Sequence, residues 1–153
     1  MKVFTVTNQK GGVGKTTTAL ILSEGLSRKG YRVLTIDSDP QGNLSYTTGI
    51  EKGESALYSL FKGTIKTDEA IRKTDIGFDL ISGGKELSRV ELEFNETGRE
   101  YLLKEIISPI KEKYDYIIID TPPTLSLLTI NALTASDSVI IPMSTDAYSL
   151  QGL

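Results

Sequence analysis

Residues 8–17 read NQKGGVGKTT and carry two lysines five positions apart, Lys10 and Lys15, in a glycine-rich setting. Glycines at this density let successive backbone amides turn toward one point. A helix that begins directly after them adds the partial positive charge of its N-terminus, and the combination suits phosphate. The general pattern is G-x-x-x-x-G-K-[ST]. Gly14, Lys15 and Thr16 fill its second half, while Gln9 stands where the first glycine belongs. In this reading Lys15 contacts the β- and γ-phosphates of a nucleotide and Thr16 offers its hydroxyl to Mg²⁺. The amides of Gly11, Gly12, Val13, Gly14 and on to Thr17 hold the remaining oxygens. The pattern has no use for Lys10, and the residues alone leave it open between a functional cation and a solvent-exposed loop lysine.

A nucleotide-bound Mg²⁺ keeps several waters and needs one or two carboxylates nearby. Asp120 closes the apolar run YIIID and fits a Walker B carboxylate that holds a metal-bound water. Asp37 and Asp39 lie two apart at the end of another apolar run, so in extended chain both face the same side. One of them could contact the metal shell and the other orient an attacking water, although Asp39 before Pro40 also suits plain turn initiation.

The rest of the composition narrows the chemistry. Among 153 residues there is no cysteine and no histidine, which removes disulfides, thiolate nucleophiles, iron–sulfur clusters and every serine–histidine or cysteine–histidine device. Lysine, carboxylates, tyrosine, backbone amides and a hard metal ion remain. The formal charge of −3, from 17 basic and 20 acidic residues, makes no electrostatic case for nucleic acid by itself. With 39% hydrophobic and 24% charged residues the chain reads as one soluble domain over 1–153. Its first ten residues, MKVFTVTNQK, lack a secretory signal, and no run is long enough to span a bilayer, so a cytoplasmic protein without a membrane partner is expected.

These side chains need elements to hold them. Val3–Thr7 reads as a buried strand entering the glycine loop. Lys15–Arg28 reads as a helix with Ala19, Leu22 and Leu26 on one stripe and Gly30 as its stop. Arg32–Asp37 is a second strand, followed by a turn in SDPQGN. Short helices are expected near Ser55–Phe61 and Asp68–Arg72, and a strand at Phe78–Ile81 closed by Gly83 and Gly84. Helices follow between Lys85 and Lys113, with a break near Asn95–Gly98. Tyr116–Asp120 is a third apolar strand ending in a carboxylate, Leu125–Ala135 a helix and Ser138–Pro142 another strand. Strands alternating with helices predict an α/β fold, a mostly parallel β-sheet flanked by helices. Ligands of such sheets sit at the carboxyl ends of the strands, where the glycine loop, Asp37 and Asp120 all arrive.

Taken together, KGGVGKTT (10–17), DSDPQGN (37–43) and IIIDTPP (117–123) resemble the ParA/Soj partition ATPases, the deviant Walker A branch of the P-loop nucleotide hydrolase fold. The similarity runs from the first strand to the last residue, including INALTASDSVIIP, and Gln commonly fills the place of Gln9 in that family. The resemblance implies an ATPase that uses ATP and Mg²⁺. Lys15 binds phosphate, Thr16 and Asp120 serve the metal, Asp37 supports the metal shell and Asp39 positions the water. Lys10 becomes the signature lysine, which reaches across a nucleotide-sandwich homodimer to the partner's phosphates.

The resemblance also implies plasmid or chromosome segregation, with nonspecific DNA and a ParB-like centromere-binding protein as partners and a nucleoid-associated location. Two other functions stay in view: a MinD-like positioning protein, for which no amphipathic C-terminal membrane helix is visible, and a noncatalytic nucleotide-dependent scaffold. A nitrogenase-reductase-like role is excluded by the missing cysteines. The sequence stops at YSLQGL (148–153), where the family continues through further elements that carry the adenine loop, much of the dimer interface and the basic residues used on DNA. The C-terminal part of the family domain is therefore expected to be missing, which leaves a strand edge open and the chain poorly stable or weak in base selectivity.

Overall fold

In the computed structural model, which describes residues 1–50, 55–94 and 97–144, the chain begins with β1 (Lys2–Val6) and passes through the glycine loop into α1 (Lys15–Arg28). Then come β2 (Val33–Asp37), α2 (Asn43–Thr47), α3 (Ala56–Phe61), α4 (Thr67–Ala70), β3 (Ile71–Lys73) and β4 (Asp79–Ile81). The remainder is α5 (Val90–Glu93), α6 (Leu102–Ile107), β5 (Tyr116–Asp120), α7 (Leu127–Ala135) and β6 (Ser138–Ile140), with short 3₁₀ turns between. The six strands form one sheet in the order β3-β4-β2-β5-β1-β6, parallel except for the β3–β4 pair.

The apolar runs are continuous because both faces of the sheet are covered. Ile117 and Ile119 of β5 pack into the core beneath α3, α6 and α7, while Ile118 between them packs into the core beneath α1. On β2, Leu34 and Ile36 take the first face and Val33 the second. Thr35 also faces α1, where its hydroxyl donates to Ser23 Oγ at 2.7 Å, and Ser23 in turn donates to the Ala19 carbonyl. The small pair Ala19 and Ser23 is the fully buried stripe of α1, and Leu22 and Leu26 flank it half-buried. Small side chains there bring the helix close to the strands whose ends carry the carboxylates.

Several expectations shift. The helix near Asp68–Arg72 spans Thr67–Ala70 instead, with the Lys66 N–H held by Glu69 Oε2 at 2.7 Å. Ile71 and Arg72 leave it as strand to pair antiparallel with Ile81 and Leu80. A β-branched residue facing a strand edge gains more from pairing than from one further helical turn. The SDPQGN turn runs directly into α2, whose start the sequence did not signal. The helices expected between Lys85 and Lys113 are short, α5 and α6 alternating with 3₁₀ turns. The expected break includes Asn95 and Glu96, which lie outside the described residues, as does the terminal stretch Tyr148–Leu153.

The register places the chemistry. β5 lies between β1 and β2, with Val6 opposite Asp120 and Asp120 opposite Asp37. In-register residues of neighbouring parallel strands project to the same face, so two carboxylates and the root of the glycine loop stand in one row at the carboxyl edge.

Candidate functional site

β1 delivers the loop at a fixed angle. Beyond its last residue, Thr7 N–H donates to the Ile140 carbonyl at 3.0 Å. Asn8, 3% exposed, then donates through Nδ2 to the Pro142 carbonyl at 3.0 Å, and its Oδ1 accepts the Lys10 N–H at 2.9 Å. The loop is thus pinned to the exit of β6 before the glycines begin. Gly12 and Gly14 adopt φ of 75° and 86°, the left-handed region that favours glycine, and nothing lies within 4 Å of where a side chain would start. Their requirement is conformational, since Gly14 turns the backbone directly into α1.

Lys15 opens that helix and is 7% exposed. Its ammonium donates to the Lys10 carbonyl at 2.9 Å. Burial holds its pKa below the ordinary lysine value, and the charges of Asp120 and Asp39 partly restore it. Thr16, the next residue, donates its hydroxyl to Asp120 Oδ2 at 2.8 Å. The other oxygen of Asp120, Oδ1, is buried with no hydrogen-bond partner. Burial pushes this carboxyl up to about 7; Thr16 and Lys15 hold it down, and the charges of Asp37 and Asp39 push it further up.

A buried Asp120 oxygen without a partner, near the Thr16 hydroxyl and the charges of two further acids, suits a hydrated divalent cation, which supplies the missing partner and offsets the repulsion. Among the described residues no group of three or more acidic side chains forms an all-protein metal cage. A Mg²⁺ that keeps its waters and takes its other ligands from phosphates has no need of one.

Asp37 and Asp39 differ from each other. Asp37 is wholly buried and accepts three hydrogen bonds, from Asp39 N–H at 3.1 Å, Ser45 N–H at 2.9 Å and Ser45 Oγ at 2.7 Å. Burial still pushes its pKa up, against the pull of those donors. Asp39 is a residue of the cleft. It lines an open hollow of about 380 Å³ with Gln41, Asn43 and Pro123, facing the glycine loop, Lys15, Thr16 and Thr17. Its Oδ1 also accepts the Gln41 N–H at 2.9 Å, so turn formation and a place in the cleft coexist.

The structure therefore brings together Gly11, Gly12, Gly14, Lys15, Thr16, Thr17, Asp39 and Asp120, with Val13 half-buried inside the loop and Lys10 at its near end, half-buried. Asp37 stands behind Asp39 rather than beside it. Three supporting residues were missed from sequence: Asn8, Ser38, whose backbone and hydroxyl both bond the Asp120 carbonyl, and Ser45. Asn8 and Ser38 are polar residues immediately after apolar strands, a position that could have marked them. Ser45 had no signal short of knowing that α2 folds back onto Asp37.

A protein-family model described as an AAA domain matches residues 1–153. The sporulation initiation inhibitor protein Soj of Bacillus subtilis (strain 168) is 47% identical over 156 residues, an alignment that takes in 99% of this chain and 62% of Soj. The chromosome partitioning protein ParA of Caulobacter vibrioides is 42% identical over 159 residues, covering 100% of this chain and 60% of ParA. Among solved structures, cobyrinic acid a,c-diamide synthase from Mycobacterium smegmatis with bound ADP and magnesium superposes with a TM-score of 0.96 at 35% identity, over 100% of this chain and 64% of that one. The chain spans about three-fifths of the length of the curated relatives it matches.

Proposed function

The chain belongs to the AAA-domain family whose model spans it, and from that membership and its Soj and ParA relatives we propose that it is a Mg²⁺-dependent ATPase of the ParA/Soj partition type. The observation that carries the reading is the Thr16–Asp120 pair with the unpartnered Asp120 Oδ1 at the mouth of the glycine loop. ATP and Mg²⁺ fit this site by chemistry, and the M. smegmatis structure, named with ADP and magnesium, supports them.

In this reading Lys15 and the amides from Gly11 to Thr17 hold the phosphates, with Val13 contributing only its backbone. Thr16 and Asp120 hold the metal and its water. Asp39, in the cleft, orients the attacking water, which is mainly a matter of position in phosphoryl transfer. Asp37 supports the metal shell from behind by fixing Asp39. Lys10 acts in trans on the nucleotide of a second copy; a charge supplied this way is worth about 10³- to 10⁵-fold in rate in comparable systems, which makes assembly a switch.

The segregation role, a ParB-like centromere-binding partner, nonspecific DNA, an ATP-dependent homodimer and a cytoplasmic, nucleoid-associated location belong to the proposal. Sequence relatives at 42% and 47% identity support partition more than the fold does, because a protein named for a different reaction shares the fold at 35%. No helix among the described residues is long and apolar enough to cross a membrane.

The test is turnover of Mg·ATP by this protein alone, with duplex DNA, and with DNA plus the partner. Stimulation by both supports partition. Tight Mg·ATP binding with no turnover under any condition would replace the ATPase reading with the noncatalytic scaffold, and stimulation by lipid vesicles in place of DNA would favour the MinD-like one.

A further inference from the structure

Ser45 sits where three parts of the chain meet, and it is 5% exposed. Its hydroxyl donates to Asp37 Oδ2 at 2.7 Å and accepts the N–H of Gly83 at 3.0 Å, while its own N–H bonds the same Asp37 oxygen at 2.9 Å. A serine hydroxyl has a single proton to give, so this pair of partners fixes its rotor. The exit of β4 is pressed onto the exit of β2 at this point. A Cβ on Gly83 would lie 2.6 Å from the Asp37 carbonyl oxygen and 2.9 Å from that of Asp39, and just past the β2–β4 ladder the Ser45 hydroxyl bridges the Asp37 carboxylate to the Gly83 amide.

From Asp37 the hold passes to the cleft. Asp37 Oδ1 accepts the Asp39 N–H, Asp39 Oδ1 accepts the Gln41 N–H, and the Asp39 carbonyl accepts the Gly42 N–H at 2.9 Å. Asp39, Gln41 and Asn43 form the wall of the cleft opposite the glycine loop. The glycine loop has separate anchors in Asn8 and in the Lys15–Lys10 bond. One wall of the site can therefore loosen without the other.

We propose that Ser45 is a positioning residue for hydrolysis: by tying the Asp37 carboxylate to the Gly83 amide it sets the 37–45 segment so that the Asp39 carboxylate stands in the phosphate cleft. The proposal rests on the ATPase reading above. Loss of a hydrogen bond to a buried carboxylate, with a second buried donor left unpaired, is expected to lower turnover roughly ten- to a hundredfold. Binding of nucleotide by the glycine loop should stay within about threefold of the wild type, since its own contacts are untouched.

The experiment compares wild type, Ser45→Ala and Ser45→Thr by three readouts. These are affinity for a nonhydrolysable ATP analogue with Mg²⁺, turnover of ATP, and amide hydrogen exchange without nucleotide. Expected are unchanged affinity and depressed turnover in Ser45→Ala, recovery in Ser45→Thr, and exchange at Asp39, Gln41 and Gly83 faster by about tenfold or more while residues 10–18 keep their wild-type rates. Wild-type turnover in Ser45→Ala overturns the proposal and leaves the ATPase reading standing. So does a parallel loss of affinity and turnover with faster exchange throughout the chain, which is the mark of a general structural defect. A wild-type chain that binds nucleotide without hydrolysing it sinks the ATPase reading and the hydrolytic role with it. Unchanged exchange at Asp39 and Gln41 independently overturns the hold of Ser45 on the loop.

Discussion

The ammonium of Lys15 donates a 2.9 Å hydrogen bond to the main-chain carbonyl of Lys10. The two lysines of the glycine loop are thereby distinguished. The buried Lys15 braces the loop from inside and faces the phosphate cleft, while the backbone of Lys10 is held at both ends, by Asn8 at its N–H and by Lys15 at its carbonyl. The loop is set in shape before a nucleotide arrives, so little ordering cost remains for binding.

Removal of Lys15 should therefore cost twice, in lost phosphate contacts and in a slackened loop. Lys15→Ala is expected to weaken Mg·ATP binding by about a hundredfold or more, given roughly 1.5–3 kcal/mol for each charge-assisted hydrogen bond. Isothermal titration checks this, and an affinity within about threefold of wild type would contradict it.

Asp39→Ala should separate binding from chemistry. Asp39 stands in the cleft but is not needed to hold the glycine loop, so affinity for Mg·ATP should survive while turnover falls by about a hundredfold, the scale of a misplaced nucleophile. Single-turnover measurements at saturating nucleotide give the answer.

Asp120 predicts a pH dependence of stability. Its carboxyl, raised by burial to about 7, carries a proton in the folded chain between about pH 4 and pH 7 that the unfolded chain has already lost. Unfolding there releases a proton, so stability falls as pH rises through that window and levels off above it, by about 4 kcal/mol in full. Asp37 shifts in the same direction, whereas Asp115, held down to about 2 mainly by its hydrogen bonds with Arg32, contributes only below about pH 4. The protein free of metal and nucleotide should melt higher at pH 6 than at pH 8, and Asp120→Asn should remove most of that difference. A melt that rises with pH across this interval would refute the assignment.

Gly83→Ala tests the close approach of β4 to the Asp37–Asp39 turn. With backbone atoms 2.6 and 2.9 Å from the new Cβ, the turn or the strand exit must move, at a cost of about 1–3 kcal/mol. Denaturant unfolding measures it, and an unchanged midpoint would show that the contact yields freely.

Much of this site was legible in the sequence because each part is local. The glycine loop is contiguous, and the strands ending at Asp37 and Asp120 are apolar runs of a sheet buried on both faces. That the glycine loop and Asp120 arrive at one sheet edge followed from parallel topology, whereas the hydrogen bond between Thr16 and Asp120, 104 residues apart, did not. What the sequence hid depends on tertiary contact. The role of Ser45 exists only because α2 turns back on β2, and Ile71 becomes an edge strand only because Ile81 is there to pair with it. Asp37 looked equivalent to Asp39 at a spacing of two, yet the chain turns between them and commits the Asp37 carboxylate to backbone and Ser45 donors.

In the proposed division of labour Lys15 serves its own nucleotide and Lys10 that of a second copy. The direct measurement is ATP turnover per chain across a range of protein concentrations, for wild type and Lys10→Ala. Wild-type turnover should rise as copies associate, and Lys10→Ala should bind Mg·ATP normally yet stay at the low, concentration-independent rate, about a thousandfold below the associated wild type. Equal turnover in the two proteins at every concentration would contradict it.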